Sequence, residues 1–425
     1  MKSKQYSLVV LAEAWPTSPD SFAIESAFAG HLRMIRDRLR DDVQLVVASP
    51  RMPARDFVAK SASLAHIESS EGIAYYELRG GRAGPLRYLL TALLPNAWRT
   101  FRLARRSRVV HAGPSHVFRL MEILALFWAI LLRRQTVYVV DLDWRQSCSL
   151  QRTAGIRSAL EGWRQRLLVS PFMALQTWLA VRWCSHAMLK SQRLVRDFGQ
   201  GREHVRFILD SAHSRGAIVS DVDLERRATA QAVESCLEVV YFGRLVRRKG
   251  VTHCIEAIQI AREGGVDCRL TVIGQGPEQA DLKALAADLG APVRFLDALP
   301  YGDDLFAAID RAHVLIAAPL SEDTPRSALD AMARGLAVAA YDIAYYRYLA
   351  DASGAVVTSP FNDPSGLAST ITKFSRDRDV LADCMRSARA FAVENTQEVW
   401  MDRRFEWLGT YCGVPRPHGD GSSTR

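Results

Sequence analysis

Apolar residues in the first half of the chain come in short strand-like runs, Leu8 to Leu11, Val43 to Ala48, Val109 to His111 and Val137 to Val140. Longer segments of helical periodicity separate them, and alternation of that kind predicts a parallel sheet with helices on both faces. A polar and charged stretch, Ser220 to Glu234, interrupts the pattern. It restarts at Leu237-Glu238-Val239-Val240-Tyr241-Phe242, a buried strand ending at Gly243. The spacing then predicts helices over 252–263, 279–289 and 303–310, and strands over 269–273, 293–296 and 314–318. Residues 391–411 read as an amphipathic helix, and 415–425, rich in Pro, Gly, Ser and charge, as a disordered tail. The expected organisation is α/β, two Rossmann-like doubly wound domains over 1–220 and 237–392. A linker over 221–236 joins them, with a terminal helix over 393–412 and a tail over 413–425.

A chain of 425 residues can bury two separate cores. The apolar and charged fractions, 48% and 24%, are those of an ordinary soluble globular protein. A formal charge of +9 favours an anionic partner without choosing among phosphates, lipids and nucleic acid. The seven cysteines are scattered, with no Cys-x-x-Cys pair. That argues against a disulfide scaffold or a zinc site and for a reducing compartment. Lys2 and Lys4 precede a short apolar run and an Ala12-Glu13-Ala14 that imitates a signal-peptidase site, but the run reads better as a first buried strand. Ile123 to Leu132 is the longest apolar stretch, far below the ~20 residues needed to span a bilayer, so no transmembrane helix is expected.

The chemistry gathers after the predicted strands. Gly243 is followed by Arg244-Leu245-Val246-Arg247-Arg248-Lys249-Gly250, which puts Arg244 and Lys249 at the carboxyl edge of a sheet, where doubly wound folds bind ligands. Arg offers a planar fork to phosphate oxygens and Lys a point charge; a solvated basic turn is the competing reading. Ile273-Gly274-Gln275-Gly276-Pro277 ends a strand in two glycines that let backbone approach a ligand, or simply make a tight turn. Further on, Thr324 as N-cap and Pro325 at the first helical position start a helix reaching about Arg334. Glu322 then lies in the preceding loop, Arg326 in the first turn and Asp330 about two turns in. Free N–H groups at such a helix start favour an anion, while Glu322 could equally serve only to complement the helix dipole.

These segments, in this order, resemble the C-terminal domain of glycosyltransferase group 1 (family 4), a retaining family of GT-B fold. The match runs through Val239 to Leu245 with Lys249-Gly250, Leu270 to Pro277, Val293 to Leu296 and Glu322 to Gly335, and covers about 237–411 well. The resemblance implies a GT-B architecture, two Rossmann-like domains facing an interdomain cleft, with the terminal helix returning to the N-terminal domain. It implies that Arg244 and Lys249 bind the donor diphosphate and stabilise the leaving group in place of a metal, so that no metal or other cofactor is expected. Glu322 would contact the transferred sugar and Asp330 the ribose, with Gly243, Gly274, Gly276, Pro277, Thr324, Pro325 and Arg326 lining the donor site. The family pattern has Glu at position 330, a Gly-Gly-x-Pro-Glu loop where this chain has Ile343-Ala344-Tyr345-Tyr346-Arg347, and Pro at position 337.

In the N-terminal half, His111 resembles the family's strand-end His, and Asp141 stands where many relatives have a His near the reacting centre. Asp141-Leu142-Asp143 also imitates a metal-binding Asp-x-Asp; a loop-capping role, an acceptor-side role and metal binding all remain open for it. His111 reads equally as a hydrogen-bonded strand-end residue. Ser21 to His31, with Glu25, is placed in the first strand-to-helix connection, where the family's Gly-Gly loop is missing. Glu25, His111 and Asp143 are the acceptor-side candidates, and Asp141 a catalytic one. Arg79 to Arg108 holds eight arginines and no acid, interleaved with leucines and aromatics. It is read either as a basic amphipathic surface for an anionic membrane or as a core helix with a solvated edge. No nucleic-acid module accompanies the charge, so no nucleic acid is expected.

The expected activity is transfer of a sugar from a nucleoside diphosphate sugar to a glycan or lipid-linked acceptor in polysaccharide or glycolipid synthesis. The expected location is cytoplasmic and peripheral on the inner face of the plasma membrane. The Asp330 and Asp141 departures motivate an alternative, a weak homologue acting as a nucleotide-sugar-binding scaffold; a GT-B nucleotide-sugar epimerase is another.

Overall fold

A computed structural model describes residues 5–61, 64–156, 158–322 and 324–409. It divides into two compact units. The first takes residues 1–141, 166–208 and 401–425, the second residues 142–165 and 209–400. The tail expected over 413–425 lies outside the described residues.

The first unit is built on a seven-stranded, all-parallel sheet. Its strands run, side by side, Val205–Phe207, His186–Leu189, Gln135–Val140, Val109–Ala112, Gln5–Val9, Gln44–Pro50 and Ile73–Leu78. The four strands expected from apolar runs are its centre, buried on both faces because a parallel sheet is covered on both. Beside it lies a small antiparallel sheet of Ala14–Ser18, Ser21–Glu25 and Leu64–Glu68. Ser21 to Glu25, expected as connection, is therefore a strand. Phe22, Ala23 and Ile24 are all buried, so the usual inside–outside alternation that would have marked it is absent.

In the second unit six parallel strands run in the order Val293–Leu296, Cys268–Ile273, Leu237–Phe242, Val314–Ala317, Ala337–Tyr341, Val356–Ser359. The helix Val251–Glu263 packs on this sheet through Val251, Cys254, Ile255, Ile258 and Ala261, apolar residues three and four apart, and ends at Gly264. Each large side chain buried this way stabilises by about 1.5–3 kcal/mol.

Two expectations about connections change. Residues 221–236 hold a helix, Asp221–Ala230, started by the Ser220 side chain and buried through Leu224 and Ala228; two apolar contacts suffice where charge hides the periodicity. The stretch 391–411 is not one helix: Arg378–Glu394 ends at Asn395, and Gln397–Leu408 follows. In the first unit Asp402 pairs with Arg38 at 2.8 Å and Phe405 stacks on Tyr6. The six described cysteines form no disulfide.

Candidate active site

In the second sheet the chain winds from Leu237–Phe242 outward to Cys268–Ile273 and Val293–Leu296, then returns to place Val314–Ala317 on the other side of the first strand. The order reverses between Leu237–Phe242 and Val314–Ala317. Ligands of open α/β sheets sit outside the carboxyl ends of the strands at such a switch point. Both segments leaving these two strands carry candidate residues.

Leaving Phe242, the backbone passes through Gly243 at φ 147°. The N–H of Leu245 donates to the Gln275 carbonyl at 2.9 Å, and the short 3-10 turn Arg247–Lys249 follows. The turn closes on Gly250 at φ 63°, where a Cβ would stand 1.9 Å from the Ala318 carbonyl oxygen. A bond from Leu320 N–H to the Arg248 carbonyl, 2.8 Å, fastens the same two segments. The close approach therefore needs glycine twice over, for φ and for space. It holds the Lys249 turn against the segment leading to Glu322. Arg244 is exposed and Lys249 half-buried.

The neighbouring strand contributes the two glycines. A Cβ on Gly274 would lie 1.9 Å from the Gly243 carbonyl oxygen, and one on Gly276 2.1 Å from that of Leu245. Both glycines are thus required by backbone packed on backbone, which lets the two strand ends lie side by side; Pro277 beyond them is exposed.

Beyond Ala317 the segment reaches Ser321 and Glu322, both buried, and the charge of Glu322 acts on the Arg347 guanidinium. The helix spans Arg326–Ala333 with Pro325, not Thr324, at its N-cap and no side-chain cap. The Pro325 ring fixes φ at −68°, its ψ of 121° is the extended value an N-cap takes, and Thr324 lies one residue outside. Tyr345 supplies the missing anchor: it is buried and donates to the Pro325 carbonyl at 3.2 Å. The segment Ile343 to Arg347 so props the helix start. Arg326 is exposed, 4.0 Å from Asp210.

Asp330 is buried, and Tyr301 Oη donates to its Oδ1 at 3.1 Å. Burial pushes its carboxyl up to about 7, opposed by the Tyr301 bond and by Arg326. Tyr301 is 54% exposed and packs edge-on against Phe306. Sequence reading missed Tyr301; its signal was an aromatic beside a glycine in the loop before the helix Asp303–Ile309.

In the first unit the strand order reverses between Gln5–Val9 and Val109–Ala112. Across that line Tyr6 Oη and His111 Nδ1 lie 2.9 Å apart, so His111 is a hydrogen-bonded strand residue. Burial first, then the charges of His31 and Arg404, lower its pKa to about 3, which keeps the ring neutral. Asp141, exposed, pairs with Lys190 Nζ at 2.8 Å. They sit at the ends of adjacent strands, and the lone Lys closing the apolar run 187–189 was the unread signal. Glu25 is exposed at the junction of its strand with the helix Ser26–Asp37. In the second unit, Asp143 caps the helix Trp144–Thr153, accepting from Arg145 N–H at 3.1 Å, and pairs with the Arg145 side chain. Its side chain is wholly buried. No group of three His, Cys, Asp or Glu able to hold a metal ion occurs among the described residues.

Comparison with known proteins adds to this geometry. Residues 237–377 match the model of glycosyl transferases group 1. The matched stretch lies in the second unit and takes in all six strands of its sheet. The chain is 27% identical over 230 residues to the 2-deoxystreptamine glucosyltransferase of Streptomyces kanamyceticus, covering 53% of this chain and 55% of that protein. It spans about half the length of the curated relatives it matches. Among solved structures, HepE of Anabaena in complex with UDP is similar, with a TM-score of 0.62, 16% identity and coverage of 95% of this chain and 98% of that one. WaaG, a glycosyltransferase involved in lipopolysaccharide biosynthesis, is similar at a TM-score of 0.60 and 16% identity, over 95% and 99%. The fold is therefore GT-B.

Proposed function

We propose that the protein is a retaining glycosyltransferase, moving a sugar from a nucleoside diphosphate sugar to a hydroxyl of a glycan or lipid-linked acceptor without a metal. The observation that carries this reading is the pair of cations, Arg244 and Lys249, at the carboxyl edge of a group 1 domain, with Lys249's turn bound to the segment that ends in Glu322. As the glycosidic bond lengthens, negative charge grows on the departing diphosphate. Arg244 and Lys249 stabilise it as preorganised charges. Glu322 contacts the transferred sugar. Asp330, Thr324, Pro325 and Arg326 hold the nucleoside and its phosphates, with backbone at Gly243, Gly274, Gly276 and Pro277 close to the ligand. Asp141, His111 and Glu25 serve the acceptor side. The complex of HepE with UDP supports a nucleotide partner, and the name of WaaG supports cell-surface glycan synthesis. The location is cytoplasmic and peripheral to the membrane, through Arg79 to Arg108.

The test is thermal-shift screening of the purified chain against UDP, GDP and ADP, because a ligand that binds the folded state raises its stability. NMR of the product from the donor so found follows. Transfer with the anomeric configuration kept supports the reading. Nucleotide binding with no turnover on any acceptor pool supports the scaffold alternative, which the burial of Asp330 motivates, and conversion of the donor without an acceptor would mean an epimerase. No stabilisation by any nucleotide overturns the reading.

A further inference from the structure

The first unit carries an outward face that its own fold does not explain. The connections from Ile73–Leu78 to Val109–Ala112, on to Gln135–Val140, and on to His186–Leu189 all step in the same direction across the sheet. Right-handed crossovers therefore place their helices on one face. These are Pro85–Thr91, Leu93–Arg106, Met121–Leu131 and Ser170–Trp183.

Side-chain contacts join them. An aromatic chain runs from Trp98 to Phe101, from Phe101 to Trp128 across the helix pair, and on to Phe127. Gln176 exchanges two hydrogen bonds with the backbone of Ser115, just ahead of the third helix.

The outer sides of these helices carry large apolar residues. Leu90 is 77% exposed, Leu94 79%, Trp98 60%, Phe127 54%, Leu131 62% and Trp178 50%. Burial of the other sides in the unit's core leaves these residues to solvent, and contiguous exposed apolar surface marks an interaction site.

Charge selects the partner. From Arg79 to Arg134 the one carboxylate is Glu122, and from Gly162 to Arg196 there is none. Glu122 is buried and accepts from Ser115 Oγ at 2.9 Å, so it offers no negative charge to the surface. Around the apolar residues stand exposed arginines, among them Arg87, Arg102, Arg105 and Arg106. No helix among the described residues is long and apolar enough to cross a membrane.

We propose that this four-helix face is an interfacial docking surface for an anionic lipid bilayer, with Trp98, Phe127 and Trp178 lying at headgroup depth and the arginines on the lipid phosphates. Apolar burial and anionic attraction act together at such a surface. The proposal widens the Arg79 to Arg108 reading to two further helices far along the chain. It bears on the proposed function too, since it favours an acceptor held in the membrane plane; that part rests on the transferase reading.

The experiment is co-sedimentation of the full chain with phosphatidylcholine vesicles, with and without phosphatidylglycerol, alongside UDP thermal shift as a folding check. Binding should need the anionic lipid. W98E/F127E should weaken it by about 100-fold or more, and R102Q/R105Q/R106Q by about 10-fold or more at low salt. Both variants should keep the wild-type response to UDP. The proposal is overturned if the chain ignores anionic vesicles, or if both variants bind as the wild type does. It is also overturned if the face instead joins two copies, seen as a sedimentation dimer lost in W98E/F127E with no vesicle binding. Vesicle binding without any nucleotide response would leave this surface standing and remove the transferase reading.

Discussion

Gly250→Ala tests the apposition on which the donor-site reading rests. Gly250 adopts φ 63°, and a Cβ there stands 1.9 Å from the Ala318 carbonyl oxygen. The two segments would have to part by about 1.1 Å to reach the 3.0 Å that is the closest real approach. A suitable control exists in Gly290, which has the same φ of 63° with nothing within 4 Å of a built Cβ. Left-handed backbone costs an L-residue about 1–2 kcal/mol. Loss of glycine's freedom in the unfolded chain returns about 0.4–1 kcal/mol. Gly290→Ala should thus lose no more than about 1.5 kcal/mol. Gly250→Ala should lose about 1–3 kcal/mol beyond that, since the obstacle is backbone rather than a flexible side-chain end. It also strains the Leu320 to Arg248 hydrogen bond, and so moves Lys249 relative to the Glu322 segment. Urea midpoints of the two variants, with a UDP titration on each, read both effects. Unfolding of Gly250→Ala at the same midpoint as Gly290→Ala, with UDP bound as tightly as by the wild type, would refute the apposition.

Lys249→Ala should lower turnover by about 100- to 1000-fold with the fold intact, as loss of a preorganised charge does elsewhere; unchanged kcat would remove its assigned role. Glu322→Ala should reduce sugar-dependent steps more than nucleotide affinity, and equal losses in both, measured by UDP and donor titrations, would count against its contact with the sugar. Asp330→Ala should weaken nucleotide binding by about 10- to 150-fold if the carboxylate holds the ribose; calorimetry with UDP decides it. Because the folded Asp330 carboxyl titrates at about 7, above the ordinary carboxylate range, its contribution to stability is present in acid and is lost as pH rises from about 4 through 7. Asp330→Asn should flatten that part of the curve of melting temperature against pH, and an unaltered curve would contradict the burial argument.

The parts of the fold legible in the sequence are strands rich in large apolar residues. Leu237–Phe242 and Val293–Leu296 were read to the residue, and Cys268–Ile273 to within one. Ala337–Tyr341 escaped notice because alanine has little strand propensity, yet all five of its residues are buried in the sheet. The small antiparallel sheet was hidden in the same way, since its middle strand buries successive residues. At the site, the strand-end glycines and basic turn were visible as ordered motifs. Lys190, Tyr301 and Tyr345 were not, because their partners Asp141, Asp330 and Pro325 lie 20 or more residues away in the chain.

Local pattern was enough to determine two α/β halves, the strand ends at Gly243 and Gly274, and the types of charge those ends carry. Propensity and periodicity act over a few residues, so a single chain displays them directly. Tertiary structure decided which strand ends are neighbours, that Gly250 presses on Ala318, that Asp143 caps a helix start, and that leucines and tryptophans on four helices stay exposed. Those outcomes come from packing between segments distant along the chain, where the order of strands and the shape of the core choose among contacts that the residues alone leave open.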